Sequence, residues 1–173
     1  VFARKGVDQG TMVLLESVAR PPSAGNFLDL GCGSGPIALA LAAYSPNATV
    51  YAIDINERAR ELTDSNAQRN HLSNVVTCAP HEIDESIRFD VMWSNPPIRI
   101  GKQELHALLL TWLSRLSPSG EAWLVINRNL GSDSLAVWLT SMGYSTERLT
   151  SKRGFRVLRV SPKRALDQPE LSA

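Results

Sequence analysis

Short apolar segments alternate along the chain with longer segments of helical character. Five apolar segments are rich in β-branched and aromatic residues, which favours strands: residues 26–30, 48–55, 74–79, 89–94 and 121–127. Four segments between or after them have the composition and periodicity of helices: residues 35–45, 56–70, 101–116 and 132–143. We expect Asn56 and Ser132 to be N-caps and Gly143 to end the last helix. Alternating strands and helices with near-continuous apolar strands predict a mostly parallel sheet covered on both faces.

The end of the chain follows a different pattern. Residues 144–150 and 155–160 both favour strands, and the four residues between them leave no room for a helix. They are therefore predicted to form an antiparallel hairpin. The expected fold is α/β, a mostly parallel seven-stranded sheet with a C-terminal antiparallel hairpin and helices on both faces. A dehydrogenase of related architecture would instead continue with a sixth parallel strand.

Composition limits the class of protein. With 173 residues, 43% hydrophobic residues and a net charge of +1, the chain suits one globular domain and not a general polyanion binder. We expect this domain at residues 1–164, followed by a polar tail at 165–173. There is no apolar run of the roughly 18 residues that span a bilayer, and from the residues given we expect no signal peptide. The two cysteines, Cys32 and Cys78, have no zinc or disulfide spacing, so we expect a cytoplasmic protein without a metal. The start at Val1 rather than Met leaves open a preceding segment.

A glycine-rich turn follows the first strand in the stretch LDLGCGSG. Its spacing, Gly31-x-Gly33-x-Gly35, differs from the G-x-G-x-x-G of dinucleotide sites, and Asp29 adds a negative charge just before it. A pyrophosphate would be repelled by this acid, whereas a cationic ligand would be favoured, directly or through water. S-adenosylmethionine carries an ammonium and a sulfonium group, so the turn is predicted to bind it.

Asp54 ends the second strand. A carboxylate at this point can accept hydrogen bonds from the two hydroxyls of a ribose. The neighbouring Ile55 could cover the adenine ring. Together with the glycine turn, these residues predict a nucleoside-binding site.

The stretch FDVMWSNPPI ends a buried strand in a corner that cannot continue it, because proline has no backbone N–H. The side-chain oxygen of Asn95 and the carbonyl of Pro96 would form two acceptors for the hydrogens of one –NH₂ group. Such a group would be held with its lone pair towards a methyl donor, and in-line displacement requires positioning more than acid or base catalysis. Pro97 fixes the corner and Ile98 is expected to cover one face of the substrate. These four residues are the predicted catalytic corner.

Basic residues follow the same edge of the predicted sheet. Arg99 and Lys102 come directly after the corner, and Lys152 and Arg153 occupy the turn of the predicted hairpin. The first strand of that hairpin, residues 144–150, should run parallel to the preceding strands and therefore end at the same edge. Arg128 comes from a third loop at that edge. We expect the side chains of Arg99, Lys102, Lys152 and Arg153 to contact the substrate.

At this point a family resemblance is apparent. The segment LDLGCGSGPIALALA, Asp54 and SNPPI resemble class I S-adenosylmethionine-dependent methyltransferases with an N-P-P motif. The lead-in VFARKGVDQGTMVLLESV resembles the small-domain methyltransferase family, which includes bacterial ribosomal RNA guanine-N2 methyltransferases. The resemblance covers residues 1–160 and implies a Rossmann-like methyltransferase fold.

The resemblance also implies roles for individual residues. It places Gly31, Gly33, Asp54 and Asn95 at the cofactor, and Asn95 to Ile98 at the target amine. It brings Gln9, Gly10 and Thr11 near the methionine end of the cofactor. It places Phe2 on the target base and Asp8 at the cleft, both as substrate contacts. Two departures stand out. Ile98 replaces the aromatic residue common after N-P-P. The acid that usually contacts the adenine, after the strand at residues 74–79, has no definite counterpart among Pro80, His81 and Glu82, and His81 is the candidate for lining the adenine pocket.

The leading hypothesis is methyl transfer to an exocyclic amine, namely guanine N2 of small-subunit ribosomal RNA, with that RNA or the subunit as partner. A protein glutamine N5-methyltransferase is the nearest alternative, although those enzymes have N-P-P-Y and a helical domain in front that this sequence does not show. A DNA adenine-N6 methyltransferase would require a target-recognition domain. A non-catalytic nucleoside-binding module is the remaining alternative.

Overall fold

The computed structural model describes residues 7–163, so the predicted tail and the contact predicted for Phe2 lie outside the described residues. The helices and strands, in chain order, are α1 (Gln9–Ser17), β1 (Ala24–Leu30), α2 (Pro36–Tyr44), β2 (Asn47–Ile53), α3 (Glu57–Arg69), β3 (Val75–Cys78), β4 (Phe89–Ser94), α4 (Lys102–Leu113), β5 (Leu116–Asn127), α5 (Ser132–Ser141), β6 (Tyr144–Lys152) and β7 (Phe155–Pro162). Short 3₁₀ helices follow three of the strands, at Pro80–Glu82, Ile98–Ile100 and Arg128–Leu130.

The sheet has seven strands in the order β3-β2-β1-β4-β5-β7-β6. Strands β1 to β5 are parallel, and β7 enters antiparallel between β5 and β6. The predicted fold is therefore confirmed, including the C-terminal hairpin. The carboxyl ends of β1 and β4 are adjacent, because these two strands pair with Asp29 opposite Trp93.

The core lies in two layers, one on each face of the sheet. Successive residues of β1 and β4 point to opposite faces, so Leu28 and Met92 pack with α4 and α5 while Phe27 and Trp93 pack with α1 and α2. All four side chains are at most 1% exposed. Burial on both faces explains why the strands are almost continuously apolar in sequence.

Helix ends follow the predicted signals with one exception. The side chain of Asn56 accepts a hydrogen bond from the amide of Arg58 (3.0 Å) and caps α3 as predicted. Gly143 has a φ of 94° and its amide donates to the Thr140 carbonyl, so it ends α5 as predicted. The prediction of Ser132 as N-cap is wrong. Gly131, with a φ of 99°, is the cap, because the chain leaves its 3₁₀ turn in a left-handed conformation that glycine adopts without strain.

Helix α1, for which the pattern predicted no bounds, packs on the same face of the sheet as α2 and runs from the end of β4 towards the hairpin turn. Its N-terminal end contacts Asn95 after β4, and Glu16 near its C-terminal end contacts Lys152 and Arg153 at the hairpin turn. Val13 and Leu14 anchor the helix and are fully buried. The lead-in of the sequence therefore forms one wall of the edge at which the candidate site lies.

Candidate active site

The glycine turn after β1 and the proline corner after β4 meet at the carboxyl edge of the sheet. A Cβ atom on Gly31 would lie 3.9 Å from the Pro97 ring, so the two motifs are in contact distance. Pro96 is buried in the corner, Pro97 is exposed, and Ile98 begins the following 3₁₀ helix. The structure thus brings together the two motifs that the sequence placed 60 or more residues apart.

Gly33 and Gly35, two of the three glycines of the turn, differ from each other in their surroundings. Gly33 has a φ of 57°, and a Cβ atom there would meet nothing within 4 Å, so the backbone is open to a ligand. Gly35 has a φ of 93°, and a Cβ atom there would lie 2.8 Å from the Thr63 side chain. Gly35 therefore allows α2 and α3 to pack closely, a structural reason for the residue that does not depend on the cofactor.

Four N–H groups of the turn already donate to acceptors within the protein. The distances are 2.8–3.0 Å: Gly31 and Cys32 donate to the Ile53 carbonyl, Gly33 to the Asp54 carboxylate, and Gly35 to the Cys32 carbonyl. A turn that cradles a pyrophosphate would present such groups to the ligand. Because four of its amides are already bonded, this turn presents fewer donors to a phosphate than such a cradle does.

Asp54 connects the turn with the start of α3. Its Oδ2 accepts from the Gly33 amide (3.0 Å) and its Oδ1 from the Asn56 amide (2.9 Å). Each carboxylate oxygen has a second lone pair, and the side chain is half-buried, so both oxygens can still accept from a ribose hydroxyl. Ile55 beside it is 86% exposed, an unusual position for isoleucine that fits the predicted cover for an adenine ring.

Asp29 lies inside the protein, beneath the turn. It is fully buried, and its Oδ2 accepts from the amide of Ala38 in the first turn of α2 (2.9 Å), while Oδ1 has no partner among the described residues. Asp29 is therefore not on the surface of the turn, and its contact with the cofactor stays a prediction.

The pH dependence of stability should reveal the state of this acid. Burial raises the pKa of Asp29 from 3.8 to about 8. The folded protein then keeps a proton that the unfolded chain releases, so this group's contribution to the free energy of unfolding falls as pH rises from about 4 to about 8. Asp29→Asn, a neutral side chain of the same shape, should lose that slope. Urea unfolding of both proteins at pH 5 and pH 8 tests this, and an equal pH dependence in both would contradict it.

Asn95 is held by the N-terminal end of α1. Its side-chain nitrogen donates to Oδ2 of Asp8 (2.8 Å) and to the hydroxyl of Thr11 (3.2 Å). Asp8 is also the N-cap of α1, since the same oxygen accepts from the Thr11 amide (3.2 Å). The amide oxygen of Asn95 is thereby left as a hydrogen-bond acceptor. A group that binds it must be a donor, as an amine is.

Gly10 is required for this arrangement. A Cβ atom on Gly10 would lie 2.9 Å from the Phe155 ring and 3.0 Å from Oδ2 of Asp8. Gly10 and Thr11 are buried, and Gln9 beside them is exposed. The contact of Gln9, Gly10 and Thr11 with the methionine end of the cofactor stays a prediction.

The basic residues do gather at one edge, but they are not equivalent. The amide of Arg128 donates to the Gly154 carbonyl (2.8 Å), which joins the loop after β5 to the hairpin turn. Lys152 and Arg153 form ion pairs with Glu16, at 2.5 and 3.4 Å. Arg99 and Lys102 are exposed and form no ion pair with any residue of 7–163.

Glu82 and His81, which follow β3, are the candidates for a contact with the adenine ring of the cofactor. The Glu82 carboxylate accepts from the Ala79 amide (2.7 Å) and stabilises its own turn. His81 is exposed and lines an open groove of about 740 Å³ together with Trp112 and Arg115. None of the glycine-turn residues line that groove, so the role of His81 stays a prediction.

Sequence reasoning missed the support of the turn by α3. Thr63 donates to the Gly33 carbonyl and Asn66 donates to the Ser34 carbonyl, both at 2.9 Å. The available signal was their spacing of three, which puts two polar side chains on the face of α3 that also carries the buried Ala67. These two side chains hold the carbonyls of the turn in place.

Neither a metal centre nor a membrane span is found in residues 7–163. No group of three or more His, Cys, Asp or Glu side chains is placed to hold a metal ion. None of the described helices is long and apolar enough to cross a bilayer.

Comparison with known proteins agrees with this geometry. The family model of the methyltransferase small domain matches residues 1–159. The chain is 36% identical over 162 residues to the uncharacterized protein YbxB of Bacillus subtilis, covering 92% of this chain and 81% of that one. It is 34% identical over 152 residues to the ribosomal RNA small subunit methyltransferase C of Shewanella piezotolerans, covering 85% of this chain but only 44% of the relative.

Solved structures share the fold. A methyltransferase from Pyrococcus furiosus has a TM-score of 0.72 at 21% identity and covers 94% of this chain and 88% of its own. The T. thermophilus 16S rRNA N2 G1207 methyltransferase, solved in complex with AdoMet and guanosine, has a TM-score of 0.72 at 24% identity and covers 94% of this chain and 45% of its own.

The fold and the site define an α/β protein of the methyltransferase class. The match over residues 1–159 shows that the chain belongs to the methyltransferase small domain family. It is an S-adenosylmethionine-dependent methyltransferase, and the predicted cofactor is confirmed. We expect the glycine turn and Asp54 to hold this cofactor.

Proposed function

We propose that the protein methylates the exocyclic N2 amine of a guanine in small-subunit ribosomal RNA. The observation that carries the proposal is the orientation of Asn95, whose amide oxygen is left as an acceptor beside the glycine turn. An exocyclic amine can donate one hydrogen to this oxygen and the other to the Pro96 carbonyl. The RNA target is supported by the relatives named ribosomal RNA small subunit methyltransferase C, of which the chain spans about two-fifths.

The residues would act mainly by positioning. S-adenosylmethionine, when bound, supplies the methyl group from its sulfonium centre. Asn95 and Pro96 hold the planar amine so that the nitrogen lone pair points towards the cofactor side of the cleft. As the N–C bond forms and the C–S bond breaks, the amine develops positive charge, which the two acceptors stabilise before a proton is lost to water.

Two other functions account for fewer features of the site than methylation of a guanine does. A glutamine side-chain amide also carries an –NH₂ group that the same acceptors could hold, but residue 98 is Ile and not the Tyr expected for that class. A non-catalytic nucleoside-binding module would have no need of an amide held by two partners. A bacterial ribosomal substrate would place the enzyme in the cytoplasm.

The substrate is tested by analysing ribosomal RNA nucleosides by mass spectrometry in a strain that lacks the gene. Loss of N2-methylguanosine from one position of small-subunit RNA, with its return when the purified protein is added, is expected. Unchanged RNA together with loss of methylation on a protein glutamine would instead support the alternative.

Salt dependence tests the basic residues as RNA contacts. If Arg99 and Lys102 bind phosphates, each contact should contribute about 0.7 to 0.9 to the negative slope of log affinity against log salt. Alanine at both positions should flatten the slope accordingly and leave the affinity for S-adenosylmethionine unchanged. We expect a smaller change for Lys152 and Arg153 together, because a phosphate must first displace Glu16. If the Arg99 and Lys102 double variant has the slope of the parent, the RNA lies elsewhere.

A further inference from the structure

The side-chain amide of Asn95 donates both of its hydrogens to side chains at the N-terminal end of α1. The nitrogen lies 2.8 Å from Oδ2 of Asp8 and 3.2 Å from Oγ1 of Thr11, and an amide nitrogen has two hydrogens to donate. Asp8 and Asn95 are 87 residues apart in sequence, so this contact is made only by the folded chain. The contact joins the start of α1 to the end of β4.

The chemistry of the partner decides which way the amide points. An ionised carboxylate can only accept hydrogen bonds, whereas a hydroxyl can accept or donate. If the Asn95 amide were rotated by half a turn, its oxygen would lie against the Asp8 carboxylate at about the same 2.8 Å and repel it. Thr11 alone could not enforce the orientation, but Asp8 can.

Asp8 is itself fixed by its surroundings. Its Oδ2 accepts from the Thr11 amide and its carbonyl accepts from the Met12 amide (3.0 Å), both in the first turn of α1. Gly10 leaves room for the carboxylate, since a Cβ atom there would lie 3.0 Å from Oδ2. The same carboxylate oxygen thus accepts from the Thr11 amide and from the Asn95 side chain, and the start of α1 holds it in place.

We propose that Asp8 is a positioning residue that locks the Asn95 amide with its oxygen towards the substrate. This inference rests on the proposed transfer to an amine, and it assigns Asp8 a role through Asn95, not the substrate contact expected from the sequence. The lock makes the site an acceptor for –NH₂ groups. Without it, the amide could present its own –NH₂ group and would then reject an amine.

Asp8→Asn and Asp8→Ser isolate this role from the capping of α1. Aspartate, asparagine and serine are all good N-caps, so α1 should remain formed in both variants. The amide introduced by Asp8→Asn can pair with either orientation of Asn95, and the hydroxyl introduced by Asp8→Ser is too short to reach it. Loss of a hydrogen bond to a charged group corresponds to roughly a 10- to 100-fold lower kcat. We expect that loss with an unchanged KM for RNA, unchanged S-adenosylmethionine affinity and unchanged melting temperature.

A second measurement does not depend on activity. The two side-chain amide protons of Asn95, assigned by their absence in Asn95→Ala, should show the shift and slow exchange of hydrogen-bonded protons in the parent. In Asp8→Ser they should move towards the values of a solvent-exposed amide. Asp64→Asn removes a carboxylate from an exposed i, i+4 contact with Gln68 and should leave both kcat and these protons unchanged.

The possible outcomes distinguish a failure of the proposed function from a failure of the role proposed for Asp8. If the parent methylates no RNA amine, the proposed function fails, and the amide protons still test the contact. If Asp8→Ser has the amide signals of the parent, or both Asp8 variants keep its kcat, the lock is overturned while the proposed function stands. A lower melting temperature or weaker cofactor binding with unchanged kcat would show a purely structural role and would also overturn it.

Discussion

Replacing Asn95 with alanine is expected to reduce methyl transfer roughly 100- to 1000-fold, while S-adenosylmethionine binds with nearly parental affinity. The magnitude is typical for the loss of one oriented hydrogen-bonding group at a reacting centre. The side chain is bonded to Asp8 and Thr11 at the start of α1, away from the hydrogen bonds of Asp54, so its loss should leave the turn and Asp54 intact. Single-turnover transfer and calorimetry measure the two effects separately.

Two further variants sharpen this prediction. Asn95→Asp keeps an acceptor oxygen but sets a second carboxylate against Asp8, so it should also be strongly impaired. Asn129→Ala changes an exposed asparagine in the 3₁₀ turn after β5 and should have the parental rate. Transfer by Asn95→Ala within tenfold of the parent would show that the amine is held by other groups.

Replacing Asp54 with alanine is expected to weaken S-adenosylmethionine binding by about 1–3 kcal/mol, the usual cost of losing hydrogen bonds to a charged group. Two effects combine in this variant. The lone pairs available to a ribose are lost, and the Gly33 amide loses its acceptor, which loosens the turn. Calorimetry gives the total, and Asp64→Ala on the exposed face of α3 is the matched control.

A cofactor analogue separates these two effects. S-adenosylmethionine lacking the ribose 2′-hydroxyl should bind the parent more weakly but should bind Asp54→Ala about as well as the full cofactor does. An equal loss in both proteins would mean that Asp54 supports the turn without touching the ribose. An unchanged affinity of Asp54→Ala for the full cofactor would remove this residue from the site altogether.

Features encoded in neighbouring residues could be predicted from sequence. The strands were identifiable because burial on both faces makes them continuously apolar, and the hairpin because residues 151–154 leave no space for a crossover. The meeting of Gly31 with Pro97 followed from parallel topology, since carboxyl ends of adjacent parallel strands lie at one edge. The capping of α3 by Asn56 followed from local chemistry.

Features that depend on distant contacts could not be predicted in this way. The Asp8–Asn95 hydrogen bond and the Lys152–Glu16 pair join residues 87 and 136 positions apart, and no local pattern specifies such partners. The Ser132 cap failed because glycine and serine are adjacent at positions 131–132, and the backbone conformation of the preceding turn selected glycine. Burial of Asp29 could not be distinguished from exposure, because an acid at the end of a strand is compatible with either.

Transfer of a labelled methyl group tests the central claim most directly. The purified protein is incubated with S-adenosylmethionine carrying a trideuterated methyl group and with small ribosomal subunits from a strain that lacks the gene, and the RNA nucleosides are analysed by mass spectrometry. The account predicts trideuterated N2-methylguanosine with the parent protein and a rate roughly 100- to 1000-fold lower with Asn95→Ala. Label on a carbon or a ring nitrogen, or undiminished label with Asn95→Ala, would contradict it.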